Sequence, residues 1–344
     1  MTDDQWSVLL DVVAGRSTGT LPAGFIIDSP WLPGWAGVST LDYFTNDEIW
    51  FEANKKAVQT FPEALFLPGF WSEYGMCTEP SAFGARCSFH RDELPFAGEI
   101  IKDIIAVDQM KTPCARTDGL GPFMLNRLLL NRKKIEQLGH RIRFAVARGP
   151  MNIASFLMGT TEFLLFLCTE PERVHTLLEM ITDYTEEWLR LQKEAIDSIE
   201  GIFILDDLVG FCGPHHVQEF AQPYISRLFD CLDVPVHFFH NDAEGRHCAP
   251  FLKEMGVNLF NFSFTHSIEE MQKWTNNEVA LVGNIPPRDV LAAGTPEQVA
   301  HCVREAVAPV SDRSRLLLSC GGGMPDGVGS DNIYAFLKAA GDML

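Results

Sequence analysis

The segment Val236-His237-Phe238-Phe239-His240-Asn241-Asp242 places two reactive groups on one side of an extended chain. Alternate residues of a strand share a face, so His240 pairs with Asp242, and His237 has the opposite parity. An imidazole beside a carboxylate suits Zn²⁺ or a related ion, or a proton-transfer pair without metal. Cys320 would add a thiolate. Three protein ligands and one open position form the pattern of a catalytic zinc site. The plain alternative is a His240 hydrogen-bonded to Asp242 or to backbone, with no ion. Asp206 and Asp207 are adjacent, so both cannot enter one pocket. One enters and the other shapes a loop, and the sequence leaves open which. The glycines at 321–323 could present N–H groups to an anion, although tight turns need glycine too. His215-His216 fall in a Gly-Pro loop and read as surface or capping residues.

These groups need elements to hold them. Eight short apolar runs read as strands buried on both faces: Ala23–Ile27, Ala64–Pro68, Arg143–Ala147, Ile202–Leu205, Val234–Phe239, Asn258–Phe262, Val279–Val282 and Arg315–Leu318. Helical patterns separate most of them. Pro171 opens one with a Val174, Leu177, Leu178, Ile181, Tyr184 stripe. Ser267 with Glu270 forms a capping box for a second, and Thr295-Pro296 starts a third. Eight strand–helix units predict an α/β chain folded as a (β/α)8 TIM barrel, one domain over 1–344. The alternative is a doubly wound open sheet, but no GxGxxG follows the first strand. The stretch 69–137 is too long for one connection. It reads as an insertion after strand 2 lying over the C-terminal mouth, with a helix over Ala97–Ile105.

Active sites of such barrels sit at the C-terminal strand ends. There the chain places Asp28 and Trp31, then Trp71 and Tyr74, then Arg148, Met151 and Asn152. Asp206-Asp207, His240 and Asp242, Asn261, Asn284 and Cys320 follow. The bias toward Asp, His, Asn and Cys favours an enzyme, although loops are polar in any barrel.

Over the 344 residues, 27 Lys+Arg face 46 Asp+Glu, a net charge of −19. That excess argues against a nucleic-acid ligand and against an anionic membrane surface. The chain shows no signal-peptide pattern and no apolar run of ~18 residues. Nine scattered cysteines without a CxxC read as reduced thiols, hence a cytoplasmic protein.

Several stretches resemble the uroporphyrinogen decarboxylase superfamily. They are Gly149-Pro-Met-Asn-Ile-Ala-Ser-Phe-Leu-Met-Gly159, Asp207-Leu-Val-Gly-Phe-Cys-Gly-Pro214, Pro223-Tyr224 and Gly283-Asn284-Ile285-Pro286. Gly294-Thr-Pro-Glu-Gln-Val299, Leu318-Ser-Cys-Gly-Gly-Gly-Met-Pro325 and Asn332-Ile333 complete the set. Glu79-Pro-Ser-Ala-Phe-Gly84 resembles the family's Glu-x-x-Ala-Phe-Gly turn near the pocket.

The resemblance implies one of two activities. Cofactor-free decarboxylases hold tetrapyrrole carboxylates with an arginine-rich N-terminal segment. The matching Gly24-Phe-Ile-Ile-Asp-Ser-Pro-Trp-Leu-Pro-Gly-Trp35 has no arginine, and an acidic chain repels a polycarboxylate. Corrinoid-linked methyltransferases carry a zinc motif of His-x-Cys plus a later Cys. Here His240-Asn-Asp242 has Asp at the first Cys, and the later one falls at Gly322, two residues after Cys320. A zinc signature proposed for some corrinoid-linked demethylases also fits Glu179-x14-Glu194-x20-His215. One helix would hold both glutamates, about 22 Å apart, which rules out a shared ion.

The resemblance therefore leans to the methyltransferase branch. A methyl group would move from a small methoxylated or N-methylated substrate to a corrinoid on a partner protein, or in reverse to a thiol, with zinc assistance. His240, Asp242, Asp207 and Glu79 are the expected catalytic residues. Asp28, Trp31, Trp71, Tyr74, Arg148, Met151, Asn152, Asn261 and Asn284 would bind substrate. His240, Asp242 and Cys320 would bind metal. A decarboxylase of a small carboxylated substrate and a non-catalytic ligand-binding barrel are the alternatives. The barrel exterior could support a homodimer.

Overall fold

All eight expected runs form strands in the computed structural model, which describes residues 1–343. In chain order they are β1 (Gly24–Ile26), β2 (Leu65–Leu67), β5 (Phe144–Arg148), β6 (Gly201–Leu205), β7 (Val236–Asn241), β8 (Leu259–Phe262), β9 (Ala280–Ile285) and β10 (Leu316–Cys320). Strands β3 (Cys87–Ser88) and β4 (Phe96–Ala97) form a small antiparallel hairpin between β2 and β5. Strands β5 to β10 pair in sequence order as one parallel sheet, and β1 pairs in parallel with β2. A parallel bridge from Ala23 to Leu318 joins β1 to β10. The spatial order is therefore β2-β1-β10-β9-β8-β7-β6-β5.

The packing shows that this order wraps around an interior. One apolar cluster takes Ile26, Leu65, Leu67, Phe144, Val146, Phe203, Val236, Phe238, Leu259, Ala280, Val282 and Leu317. These are alternate residues from all eight strands, as inward-facing side chains must be. Trp6, Leu9 and Val12 of the helix Asp3–Ala14 join them. The intervening residues, such as Phe25, Phe66, Ile202, Phe239 and Leu318, pack with the surrounding helices in a separate cluster. A doubly wound open sheet would instead cover both faces with helices.

Among the described residues no ladder joins β2 to β5, so β5 would present bare backbone groups. Side chains satisfy them. Val146 N donates to Gln192 Oε1 at 3.0 Å, and Val146 O accepts from Gln192 Nε2 at 3.0 Å and Trp188 Nε1 at 3.2 Å. Across the seam, Trp71 O accepts from Trp50 Nε1 at 3.0 Å.

The helix Pro171–Ala195 buries its expected stripe. Both expected caps form: Ser267 with Glu270, and Thr295 with Gln298. The connection 69–137 holds the hairpin, a short helix Ile104–Gln109 and the long helix Gly121–Gln137. No helix forms over Ala97–Ile105. Ala97 ends the hairpin, and Ile100 N and Ile101 N both donate to Leu157 O, at 2.8 and 2.9 Å. Asp103 then caps a later start, its Oδ1 accepting from Ile105 N at 3.0 Å. A tertiary carbonyl and a local carboxylate outcompete the helical bonds there. No single helix among the described residues is long and apolar enough to cross a membrane.

Replacing Gln192 with Leu leaves the Val146 N–H buried without a partner at the seam. The Gln192→Leu variant should lose about 1–3 kcal/mol in urea unfolding. Gln192→Glu should lose at least as much, because its second oxygen replaces the Nε2 donor that faces Val146 O and the site is buried.

Candidate functional site

Seven of the eight inward series, carried one step beyond the apolar interior, deliver a polar residue to the C-terminal mouth, while Leu67 of β2 leads to Gly69. Ile26 leads to Asp28, Val146 to Arg148, Leu205 to Asp207, and Phe238 to His240. Leu259 leads to Asn261, Val282 to Asn284, and Leu317 to Ser319. The strand period alone converts an apolar interior into a polar rim.

His240 stands at the centre of one rim cluster. Its Nδ1 lies 2.7 Å from Asn261 Oδ1. The Asn261 amide nitrogen donates to two backbone carbonyls, Val282 O at 2.7 Å and Cys320 O at 3.2 Å. Its oxygen must therefore accept, so His240 Nδ1 carries the proton. In the neutral ring the lone pair then lies on Nε2. That atom is 3.4 Å from Asp207 Oδ1 and 4.0 Å from Asp242 Oδ2. Asp207, His240 and Asp242 each offer a ligand atom, all within 4.8 Å of one another. One imidazole nitrogen and two carboxylate oxygens make a donor set suited to a divalent cation. Burial raises the Asp242 carboxyl, His240 pulls it down, and Asp207 pushes it up again.

The structure settles the Asp206-Asp207 pair. Asp206 is fully buried and caps the helix Pro150–Met158, accepting from Met151 N at 2.9 Å and Asn152 N at 3.0 Å. Asp207 faces the mouth, and its Oδ1 accepts from Asp242 N at 3.2 Å. Asn152 steadies this turn. Its Nδ2 donates to Leu205 O at 3.2 Å and Asp207 Oδ2 at 3.4 Å, and its Oδ1 accepts from Leu208 N at 3.1 Å.

Cys320 does not join the donor set, contrary to expectation. Ser319 takes the inward parity on β10, so Cys320 faces the helix layer with Leu316 and Leu318. Its Sγ donates to Gly322 O at 3.2 Å, and burial pushes the thiol up to about 12. The glycine run does not form an anion cradle either. Gly321 N and Gly322 N are spent on Ile285 O and Cys320 O. A Cβ at Gly322 (φ +128°) would lie 2.9 Å from Asp242 Oδ2, and one at Gly323 would lie 2.9 Å from Asp28 Oδ2. The positive φ of Gly322 favours glycine, and a side chain at Gly322 or Gly323 would press on a carboxylate.

A second group is built around Arg148. Its guanidinium lies 3.3 Å from Glu79 Oε2 and 3.5 Å from Glu73 Oε2, and its backbone N donates to Glu79 Oε1 at 2.9 Å. Glu73 Oε1 also accepts from Ser29 N and Ser29 Oγ, at 3.0 and 2.7 Å. Glu79 is thus committed to holding Arg148. Glu73 lies in the strand-end run Gly69–Met76, and sequence reasoning passed over it for its aromatic neighbours. Asp28 stands beside this group. Burial first, then Glu73, lifts its carboxyl well above the usual range, while Arg148 pulls the other way.

The remaining expected residues are elsewhere. Trp31 is fully buried, donates from Nε1 to Val328 O at 3.0 Å and packs against Trp35 and Phe66. Tyr74 meets Arg127 through its hydroxyl at 3.1 Å, and its ring packs with Phe44 and Phe89. Trp71 packs on Phe203 within the barrel, and Phe203 in turn meets the His240 ring. The Met151 side chain belongs to the helix-side core. Asn284 donates to His266 O. Glu179 and Glu194 do share one helix and pair with Arg227 and Arg116.

This fold and rim define a TIM-barrel protein with a polar mouth. Residues 35–343 match the uroporphyrinogen decarboxylase (URO-D) family, and the chain belongs to that family. It is 24% identical over 276 residues to a uroporphyrinogen decarboxylase from Xylella fastidiosa, covering 76% of each chain. It is 23% identical over 192 residues to a methylated-thiol–coenzyme M methyltransferase from Methanosarcina mazei, covering 55% of this chain and 50% of the other. Among solved structures, a methyltransferase from Methanosarcina mazei superposes with a TM-score of 0.81 at 16% identity, covering 98% of each chain. That superposition establishes a shared fold.

The raised Asp28 carboxyl fixes a sign. It binds its proton more tightly folded than unfolded, so the stability it contributes is complete below about pH 4 and is lost as pH rises through its folded value. Asp28→Asn should therefore unfold at a higher temperature than the parent at pH 7, with the gap narrowing toward pH 4. Parallel thermal scans at the two pH values measure this.

Proposed function

We propose that the chain is a methyltransferase. It would move a methyl group from a small methoxylated or N-methylated substrate to a corrinoid on a partner protein. The observation that carries this reading is the Asp207–His240–Asp242 donor set at the mouth, with the Nε2 lone pair of His240 left free by Asn261. Zinc or a related divalent ion in that set supplies Lewis acidity toward the substrate's leaving oxygen or nitrogen. Without a thiolate the ion keeps more of that acidity, which favours ether or amine donors over activation of a thiol. Asn261 fixes the imidazole tautomer, Asn152 holds the Asp207 turn, and Asp28 with the Arg148 group faces the substrate. Nine free thiols suit a reducing, cytoplasmic setting.

One observation favours a second reading. A carboxyl held protonated by burial, as at Asp28, could deliver a proton to the carbanion left when a small acid loses CO₂.

Protein purified without chelator should carry about one divalent ion per chain by elemental analysis, and His240→Ala should carry less than a tenth of that. Incubation with methylated substrates and a reduced corrinoid should shift the corrinoid spectrum. A metal-free protein with a fully active His240→Ala variant overturns the metal assignment. CO₂ release with no spectral change supports the decarboxylase.

A further inference from the structure

We propose that Asp28 anchors the positive nitrogen of an N-methylated ammonium substrate. This narrows the methyl donor to that class and rests on the methyl-transfer reading. An ammonium nitrogen has no lone pair for a Lewis acid and is already a leaving group, so the anchor needs no contact between that nitrogen and an ion. Asp28 Oδ1 is sealed from solvent and has no hydrogen-bond partner. A sealed, unpartnered oxygen costs free energy until something positive or proton-donating meets it, and a cation bound there favours the ionised carboxylate over the protonated acid that burial alone favours. The protein offers nothing suitable. Arg148 is the nearest cation, and both ends of its guanidinium are committed to Glu73 and Glu79. The metal donor set does not include Asp28, so an ion there leaves this oxygen unpartnered.

Charge points the same way. Asp28, Glu73, Glu79, Asp207 and Asp242 crowd one mouth, answered inside it by Arg148 and the imidazole of His240. Arg288 adds positive charge on the Asp242 side. At Asp28 an anionic substrate would meet repulsion, since Arg148 is committed to Glu73 and Glu79, and a neutral methyl ether brings neither charge nor donor. An ammonium head supplies the charge.

Choline and its uncharged isostere 3,3-dimethylbutan-1-ol have the same shape and differ in charge. Calorimetric titration of the full chain, both chelator-treated and zinc-supplemented, should show choline bound at least about tenfold more tightly than the isostere, roughly 1.4 kcal/mol. Asp28→Asn should reduce that preference to within about twofold while the protein stays folded by thermal scan. Asp28→Glu should retain part of it, which separates lost charge from lost packing. Equal binding of the two ligands, or an undiminished preference in Asp28→Asn, overturns the proposal. Asp28-dependent choline binding with no corrinoid spectral change retains the anchor and rejects methyl transfer. A spectral change with methoxylated donors but no choline preference does the reverse.

Discussion

The site depends on the side-chain amide of Asn261. Its nitrogen is pinned by carbonyls of two other strands, on β9 and β10, and its oxygen is pinned by the His240 ring on β7. Four strands thus meet at one planar group whose orientation has no alternative. Reversing the amide would put its nitrogen against the imidazole and its oxygen against two carbonyls. The proton on His240 is therefore placed by the barrel wall, without help from the carboxylates on the other side of the ring. Asp207 and Asp242 are left free to face whatever occupies the mouth.

Those carboxylates are tolerated because the surrounding chain accommodates them. Gly322 and Gly323 leave space that any side chain would fill. Arg148 offsets the charge of Glu73 and Glu79, and Asn152 ties the Asp207 turn to the end of β6. Arg148 ends β5, Gly322 and Gly323 follow β10 by two and three residues, and Asn152 sits in the first turn of the helix after β5. The geometry is inherited from stiff elements even where the reactive atoms lie on loops.

Much of this was legible from alternation. The eight apolar runs, both helix caps and the shared face of His240 and Asp242 follow from periods of 2 and 3.6, which local sterics enforce. Parity counted to the end of β10 would also have turned Cys320 away, since Ser319 takes the inward place. Asp206 against Asp207 was not legible. It depends on a neighbouring helix whose N-terminus needed a carboxylate cap, and only the folded chain brings that helix near. Trp31 was lost to the mouth for a related reason. A large indole gains more from complete burial with a partner for its N–H than from half-exposure at a rim. Glu73 was missed because its role, bracing Arg148 and Ser29, involves residues far from it in sequence.

The seam between β2 and β5 gives the barrel a further character. Seven of its eight junctions are made by backbone; at the eighth, Gln192 and Trp188 satisfy Val146 of β5 on one side and Trp50 satisfies Trp71 O on the other. Mechanically this is a split ring. The segment that begins at the split carries Glu73 and Glu79 to the mouth. The half of the rim built on β7 to β10 is joined through backbone ladders, and the half that carries Glu73 and Glu79 is joined to it through the side chain of Arg148.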